Sequence, residues 1–329
     1  MSNFYIYAET AFHHEGDLTF MMSLIDETKS SGAKGIKFQV LTNAEDFVST
    51  QHSAFETLKK YCFTITEWEL IFEYAVKLKL EIIFMPLNLD SFNLLKKFDI
   101  KYIDIHSVSF NDKKILNEIK KTKCEIILGV GGRTIEEIDQ MLYFFEDKVK
   151  IIMVGFQSFP SELEKIKLGR IKYYKTKYSN LKIGYADHSS FNHEHAIISN
   201  EYAFLLGAEI FEKHITVSEG VERVDYSSAV NGLKLNEIIK RLSFLEKFVL
   251  QNEQAAYQLE PEEITYRNRQ LICVAKIAIN KGHVIDENMV SLKMIDNVAN
   301  PICDPQIIYG KKATTTIQKD AAILFELIK

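Results

Sequence analysis

The amino-acid sequence predicts a (β/α)8 (TIM) barrel followed by a small β-rich domain. Eight short apolar runs alternate with longer amphipathic stretches over about the first 250 residues, which is the count and the size of such a barrel. Each run is continuously apolar, as expected of parallel strands that are buried on both faces. An open, doubly wound sheet would show the same alternation, but the count of eight favours the barrel.

The predicted strands and helices follow one another in chain order. Segments with apolar residues at helical spacing, such as Asp17–Ser31 and Ile135–Glu146, lie between the runs and are predicted to be helices. The eight predicted strands are Phe4–Thr10, Gly35–Val40, Glu81–Leu87, Tyr102–Ser107, Glu125–Val130, Lys150–Phe156, Lys182–Asp187 and Ile210–Thr216.

The composition changes after the predicted barrel. Gln251–Glu263 is polar and contains a proline, which is typical of a linker. Beyond it, Gln270–Ala278 and Met289–Met294 are β-rich and are separated by the turn Asn280-Lys281-Gly282. A module of this size has little core of its own and is expected to need a partner surface. We therefore predict a barrel domain at 1–255, a linker at 256–266 and a small domain at 267–329.

Charge and cysteine usage limit the classes of function. The chain has 40 Lys and Arg against 45 Asp and Glu, a net charge of −5, which argues against a nucleic-acid or anionic-membrane surface. No apolar run approaches the ~20 residues of a membrane span, and the amino terminus has no export signal. The four cysteines lie far apart without a CxxC pair. These features predict a cytoplasmic protein with free thiols.

Polar side chains recur at or near the C-terminal ends of the predicted strands. In barrel enzymes the functional groups lie at this end of the strands and on the loops that follow. We therefore expect one shared pocket there. The polar residues concerned are Glu9, Lys37, Gln39, Ser107, Gln157, Asp187, His188, Lys213 and His214.

Two histidines follow neighbouring strands and form a candidate metal site. His188 follows the seventh predicted strand and His214 lies in the eighth, so a closed barrel would bring their imidazoles together. The alternative is a pair of hydrogen-bonded pocket histidines without metal. His13 and His14, which follow the first strand, are also within reach of the pocket, whereas His193 and His195 are expected at the surface.

Two basic residues are candidate anion-binding groups. Lys37 lies in an otherwise mostly apolar strand, where burying its ammonium group is costly unless an anion is close. That anion is either a ligand or a neighbouring carboxylate such as Glu9. Arg133 lies in the glycine-rich segment Gly129–Thr134, whose backbone N–H groups are suited to binding an anion. The alternative is a tight turn with a solvent-facing arginine.

Taken together, the motifs resemble those of the sialic acid synthase family. The family's A-E-x-x-x-N-H-N-G is similar to Ala8–Gly16, its G-A-x-x-x-K-F-Q to Gly32–Gln39, and its S-D-H-T to Ala186–Ser189. Its E-[KR]-H-F-T is similar to Glu212–Thr216. The tail, with Arg269-Gln270-Leu271, Ile277–Gly282 and Tyr309–Lys312, resembles the family's antifreeze-like (SAF) domain. The similarity covers essentially the whole chain in the family's order.

The resemblance implies an activity, a cofactor and an assembly. The family condenses phosphoenolpyruvate with an N-acylated hexosamine, releasing phosphate, to make nonulosonic acids for surface glycans. It uses a divalent metal, usually Mn2+, with Mg2+ or Co2+ possible, as a Lewis acid held by the residues matching His188 and His214. The resemblance also implies a homodimer in which the small domain of one subunit covers the barrel of its partner.

The residues and the resemblance together predict a set of roles. The predicted metal ligands are His188 and His214, which with Glu9 and Lys37 form the predicted catalytic set. The predicted substrate-binding residues are Gln39, Ser107, Arg133, Gln157, Lys213 and Asp225. Lys37, Ser107 and Gln157 would contact phosphoenolpyruvate, and Glu9, Gln39 and Asp225 would contact the sugar or carry protons.

The chain departs from the family's pattern where the phosphate is expected to bind. Asp104 replaces a phosphate-binding lysine, and Gly129 and Ala186 replace serines. We expect Asp104 to pair with a cation such as Lys37 or His106, with other groups binding the phosphate. The alternatives are a non-catalytic sugar-binding paralogue and a phosphate-independent aldolase or lyase on the same barrel. The candidates for binding the phosphate in place of that lysine are Arg133, His106 and the backbone N–H groups of Gly131 and Gly132.

Overall fold

A computed structural model describes residues 4–156, 158–249, 257–267, 269–296 and 298–329. The chain forms two compact units, Met1–Leu250 and Gln251–Lys329. Within the described residues, none of the helices has both the length and the apolar character that crossing a membrane requires.

The first unit is a closed barrel of eight parallel strands in sequential order, which confirms the predicted (β/α)8 architecture and excludes the open sheet. The predicted fourth strand is shorter than expected, because His106 leaves the strand and a 3-10 turn, Ser107–Ser109, follows it. The strands are β1 (Tyr5–Glu9), β2 (Gly35–Val40), β3 (Glu81–Pro86), β4 (Tyr102–Ile105), β5 (Glu125–Gly129), β6 (Val149–Gly155), β7 (Lys182–Asp187) and β8 (Ile210–His214).

Helices connect the strands, and several of them begin at recognisable capping residues. Asp17 caps the first helix, and Thr64 and Thr134 each form a capping box with the glutamate three residues later. A 3-10 segment, Leu89–Lys96, connects β3 to β4. The helices of this unit are α1 (Leu18–Ser31), α2 (Phe55–Tyr61), α3 (Ile65–Lys77), α4 (Lys113–Lys121), α5 (Ile135–Phe145), α6 (Leu163–Ile166), α7 (Gly169–Lys177), α8 (His195–Leu205) and α9 (Gly232–Val249).

Side chains alternate between the inside of the barrel and the layer between strands and helices. The interior is packed by Tyr7, Ile83, Tyr102, Ile127, Ile151, Met153, Ala186 and Ile210, all buried. The outer layer includes Ile6, Phe38, Phe84 and Phe211, which pack with buried helix residues such as Leu24 and Phe72. Apolar side chains fill the interior toward the N-terminal ends of the strands. The inward-facing polar residues therefore lie at the C-terminal ends.

The second unit is small and β-rich. Strand β9 (Ile272–Ala275) pairs antiparallel with β10 (Val290–Lys293), and isolated bridges such as Ile279 with Ile317 extend the pairing. The predicted linker 256–266 overlaps helix α10 (Pro261–Arg267), since Pro261 is favourable at a first helical position. Buried residues such as Cys273 and Ile285 form this unit's own core. Its antifreeze-like identity and the predicted boundary at residue 255 remain predictions.

Candidate active site

A cavity opens at the C-terminal ends of the barrel strands. The register brings Glu9 of β1 opposite Lys37 of β2 and His214 of β8, so these three residues lie in one layer. The residues that line the cavity are Glu9, Lys37, Gln39, Asp104, His106, Ser107, Gly129, Gly131, Met153, Gly155, Phe159, Ala186, His188, Glu212, His214 and Asp225.

Lys37 is surrounded by three carboxylates. Its Nζ lies 2.8 Å from Asp104 Oδ2, 2.8 Å from Glu212 Oε2 and 3.1 Å from Glu9 Oε1, and all four side chains are buried. Burial alone would lower the pKa of Lys37, but Asp104, Glu212 and Glu9 together raise it well above its ordinary value. The ammonium group therefore stays charged, and the predicted Lys37–Asp104 ion pair is confirmed. The ion pair with Glu9 that was the alternative to ligand binding is also present.

Glu9 links this ion-pair cluster to the histidines. Gln39 Nε2 donates to Glu9 Oε1 at 2.9 Å, and His214 Nε2 lies 2.9 Å from Glu9 Oε2. Burial raises the pKa of Glu9, but Lys37 and His214 outweigh burial and hold it well below its ordinary value. Glu212 responds in the opposite direction: burial and the neighbouring Glu9 raise its pKa well above the ordinary value. Glu9 is thus the more acidic of the two carboxyl groups.

The two predicted metal-binding histidines are close together, each with one ring nitrogen free. Their ring centroids are 5.0 Å apart. His188 Nδ1 donates to the carbonyl of Phe156 at 2.9 Å, which leaves the Nε2 lone pair free. His214 Nε2 faces Glu9, and its buried Nδ1 has no partner among the described residues. Metal-binding histidines characteristically donate their other ring N–H to a carboxylate or a carbonyl in this way.

These residues fit a divalent metal ion. Potential ligand atoms of Glu9, His188, Glu212 and His214 all lie within 4.8 Å of one another. Burial, followed by the neighbouring His214, lowers the pKa of His188 to about 3, so its ring is neutral as a ligand must be. The Phe159 ring covers both imidazoles, with centroids 4.5 and 5.8 Å away. The site combines two imidazoles with two carboxylates in a sheltered position.

Lys213 lies outside the cavity, although it was predicted to bind substrate. It is fully buried, and its Nζ lies 2.9 Å from Asp187 Oδ2 and 3.1 Å from the Ser189 carbonyl. Asn200 of α8 donates to the same Asp187 oxygen at 2.9 Å. Side chains alternate along a strand, so Lys213 points toward the helices because its neighbour His214 points inward. The Lys213–Asp187 pair therefore ties β7 and β8 to α8.

Arg133 does not line the cavity either. Its guanidinium donates to the carbonyl of Ser107, lies 3.1 Å from Glu137 Oε1 and stacks over the Phe110 ring at 4.9 Å. Arg133 therefore contacts the cavity wall from behind, through the turn that begins at Ser107. Gln39, Ser107 and Asp225 do line the cavity, and Gln157 lies outside the described residues.

Four other histidines that the sequence analysis considered, His13, His14, His193 and His195, lie outside the cavity lining. His13 Nδ1 lies 2.6 Å from the Val224 carbonyl, and its Nε2 lies 2.8 Å from Thr216 Oγ1. It thereby holds the loop that carries Asp225, whose pKa is raised by burial. His14 stacks on Phe63 away from the cavity. The surface expectation is met by His193, which is exposed, whereas His195, the first residue of α8, is half-buried.

Glu212 is the main cavity residue that the sequence prediction left out. It is buried, contacts Lys37 and accepts a hydrogen bond of 2.6 Å from the Tyr7 hydroxyl. It lies two positions before His214 along β8, so strand alternation places both on the inner face. That spacing was the signal that would have identified it.

The chain is similar to several known proteins. A family model described as the NeuB family matches residues 24–254. The chain is 24% identical to N,N'-diacetyllegionaminic acid synthase from Campylobacter jejuni, over 97% of this chain and 98% of that protein. It is 28% identical to an uncharacterized protein from Methanocaldococcus jannaschii, over 88% and 84%.

Two solved structures are similar as well. The N-acetylneuraminic acid (sialic acid) synthetase from Leptospira borgpetersenii has a TM-score of 0.71 and 27% identity, covering 80% of this chain and 91% of that one. The spore coat polysaccharide biosynthesis protein E from Chromobacterium violaceum has a TM-score of 0.85 over 98% and 99% of the two chains. At 18% identity, the second similarity establishes the fold alone.

Proposed function

Because this chain belongs to the NeuB family, we propose that it condenses phosphoenolpyruvate with an N-acylated hexosamine or a related aldose. The chain is an enzyme of the sialic acid synthase type, a transferase. In the proposed reaction, C3 of phosphoenolpyruvate forms a bond to the aldehyde carbon of the open-chain sugar, whose oxygen takes a proton and becomes a hydroxyl. Water adds at C2 and inorganic phosphate leaves, which gives a 2-keto-3-deoxy sugar acid.

The observation that carries this proposal is the pair of histidines with free lone pairs beside Glu9 and Glu212. A divalent ion bound there, which we propose to be Mn2+, would supply Lewis acidity toward the sugar's carbonyl oxygen. His188 and His214 would be its ligands, with Glu9 and Glu212 close enough to complete the set. The Phe156 carbonyl and Glu9 orient the two rings, and Phe159 shelters them from water.

Other cavity residues would bind and orient the two substrates. Gln39 and Asp225 present an amide and a carboxylate to the cavity, which suits recognition of sugar hydroxyls. Ser107 presents a hydroxyl at the opposite end, toward the proposed phosphoenolpyruvate position. Lys37 holds Glu9, Asp104 and Glu212 in one arrangement and offsets part of their charge. Gln157 is retained as a proposed contact on the strength of the resemblance.

The proposal extends to location and assembly. We propose a cytoplasmic enzyme of carbohydrate biosynthesis that forms a homodimer, with residues 267–329 as an antifreeze-like domain over the partner's barrel. Light scattering of the full-length chain tests the dimer. A monomer at micromolar concentration that retains full activity would remove this part of the proposal.

A second candidate function is favoured by one observation at the donor end. Lys37 donates hydrogen bonds to Asp104 and Glu212, and Glu9 lies 3.1 Å from the same ammonium group, so three carboxyl groups already surround the charge that a phosphate would need. A metal-assisted aldolase that joins pyruvate to an aldose would need no phosphate-binding group. A pyruvate-dependent reaction without phosphate release would support this candidate over the synthase.

The test is release of inorganic phosphate from phosphoenolpyruvate with a panel of N-acylated hexosamines, with Mn2+ and after metal removal by a chelator. We expect release only when phosphoenolpyruvate, one acceptor sugar and the metal are all present. His193→Ala, which changes an exposed histidine, serves as the matched control for substitutions of the cavity histidines. Absence of release with every acceptor and metal would refute the synthase.

A further inference from the structure

The donor end of the cavity lacks a free positive charge. Among the described residues that line the cavity, Lys37 has the only permanent positive charge, and it is saturated by Glu9, Asp104 and Glu212. Arg133, the other candidate from the sequence, is held by Glu137 and the Ser107 carbonyl. An anionic donor must therefore be bound there by groups other than Lys37. The lysine that the related synthases use at this end is replaced by Asp104 in this chain.

His106 is the side chain that can take this role. It follows β4, two residues after Asp104, and lines the cavity. Its Nδ1 accepts a hydrogen bond from the backbone N–H of Val108 at 3.3 Å. In the neutral ring the proton must then be on Nε2, which has no partner among the described residues. The result is an oriented N–H donor at the cavity wall.

The surroundings of His106 leave room for a ligand beside it. Gly129 on β5 stands next to this position, and a Cβ there would lie 3.3 Å from the Ile105 carbonyl oxygen and 3.8 Å from the His106 Cα. The absence of that side chain keeps the space open. Ser107 follows His106 directly, is buried and faces the same cavity. Two neighbouring side chains thus offer an imidazole N–H and a hydroxyl.

We propose that His106 binds the phosphate group of the donor through its Nε2–H, next to the Ser107 hydroxyl, in place of the missing lysine. This inference rests on the proposed function, because it takes phosphoenolpyruvate as the donor. The charged groups that face His106 are Lys37, Asp104, Glu9 and Arg133. Burial and then Lys37 lower the pKa of His106, so the free enzyme presents a neutral donor.

This arrangement assigns Asp104 a defined part. Its carboxylate occupies one N–H of Lys37 and brings negative charge near the donor, so it weakens anion binding. Asp104→Asn removes that charge while keeping a side chain of the same shape. Affinity for phosphoenolpyruvate should therefore change in opposite directions in Asp104→Asn and His106→Ala.

The test measures KM for phosphoenolpyruvate and for the sugar, together with the dissociation constant for phosphoenolpyruvate by titration calorimetry on the Mn2+-loaded protein. His106→Ala should weaken phosphoenolpyruvate by about tenfold or more, as expected for one lost hydrogen bond to a charged group. His106→Gln, whose amide N–H is a donor of similar reach, should recover part of that loss. Asp104→Asn should strengthen binding, and the sugar KM should stay within about twofold in all three variants.

The outcomes separate this inference from the function on which it rests. Turnover with an unchanged phosphoenolpyruvate KM in His106→Ala would overturn the role of His106 and leave the synthase standing. Binding of phosphoenolpyruvate that depends on His106, without phosphate release, would support His106 and refute the synthase. If the wild-type protein neither binds nor consumes phosphoenolpyruvate, both proposals fall. His193→Ala controls for the loss of a histidine elsewhere, and circular dichroism checks that each variant is folded.

Discussion

The two ends of the cavity differ in how far they follow the pattern of the related synthases. At the metal end, on β1, β7 and β8, the glutamate and both histidines are present, with ring nitrogens oriented for an ion. At the proposed donor end, on β4 and β5, Asp104 and Gly129 stand where the resemblance predicts a lysine and a serine. Because different strands supply the two ends, one end of a barrel cavity can change while the other keeps its residues.

The largest expected effect is at the metal end. His214→Ala removes a proposed ligand, so Mn2+-stimulated phosphate release should fall by roughly a hundredfold or more while the fold is retained. The measurement is the initial rate as a function of Mn2+ concentration, with His193→Ala as the control. Unchanged Mn2+ dependence in His214→Ala would show that His214 is not a ligand of the metal.

Lys213, the neighbour of His214 on β8, should affect stability rather than substrate binding. Lys213→Met leaves Asp187 buried without its cation, which should cost about 3–5 kcal/mol of unfolding free energy. Urea denaturation measures this loss, and KM values for both substrates, measured where the variant is folded, should be near those of wild type. The exposed Lys150→Met on β6 is a control that should leave stability nearly unchanged.

Substitution of Arg133 tests whether its hydrogen bond to the Ser107 carbonyl supports the donor end of the cavity. Because it contacts the Ser107 carbonyl and not the cavity, Arg133→Ala should raise KM for phosphoenolpyruvate by only roughly threefold to tenfold. Sugar KM should not change. Arg133→Lys should retain part of the contact and give an intermediate value. A larger effect than that of His106→Ala would mean that Arg133 itself reaches the phosphate.

The smallest expected effect is a pH dependence at the donor end. The pKa of His106 is below its ordinary value in the free enzyme, and a bound phosphate would raise it by favouring the imidazolium. Affinity should therefore increase as the pH falls through the bound-state pKa and level off below the free-state pKa. Calorimetry across this range should show a smaller increase for His106→Gln, in which only the ligand's own titration remains. Identical pH profiles would exclude proton uptake by His106.

The sequence was sufficient for the barrel, because eight buried parallel strands have an apolar pattern that few other folds share. The proximity of His188 and His214 was also predictable, since they stand at the ends of neighbouring strands. The direction in which single side chains point was harder to predict. Lys213 and His214 are adjacent in sequence, yet strand alternation directs one toward α8 and the other into the cavity. Glu212 was missed for the same reason, although it shares the inner face with His214.

Contacts between distant segments could not be read from the sequence. The diversion of Arg133 to the Ser107 carbonyl depends on how β4 and β5 end relative to each other. The saturation of Lys37 depends on three carboxylates from three other strands. The Lys37–Asp104 pair was predictable because a buried acid in place of a lysine needs a cation.

The most direct test of the central claim is mass spectrometry of the product formed from phosphoenolpyruvate, an N-acylated hexosamine and Mn2+. If both ends of the cavity function as proposed, the product has the combined mass of the sugar and pyruvate. It should appear with one equivalent of phosphate and disappear in His214→Ala. The same product formed from pyruvate, with no phosphate released, would contradict the account.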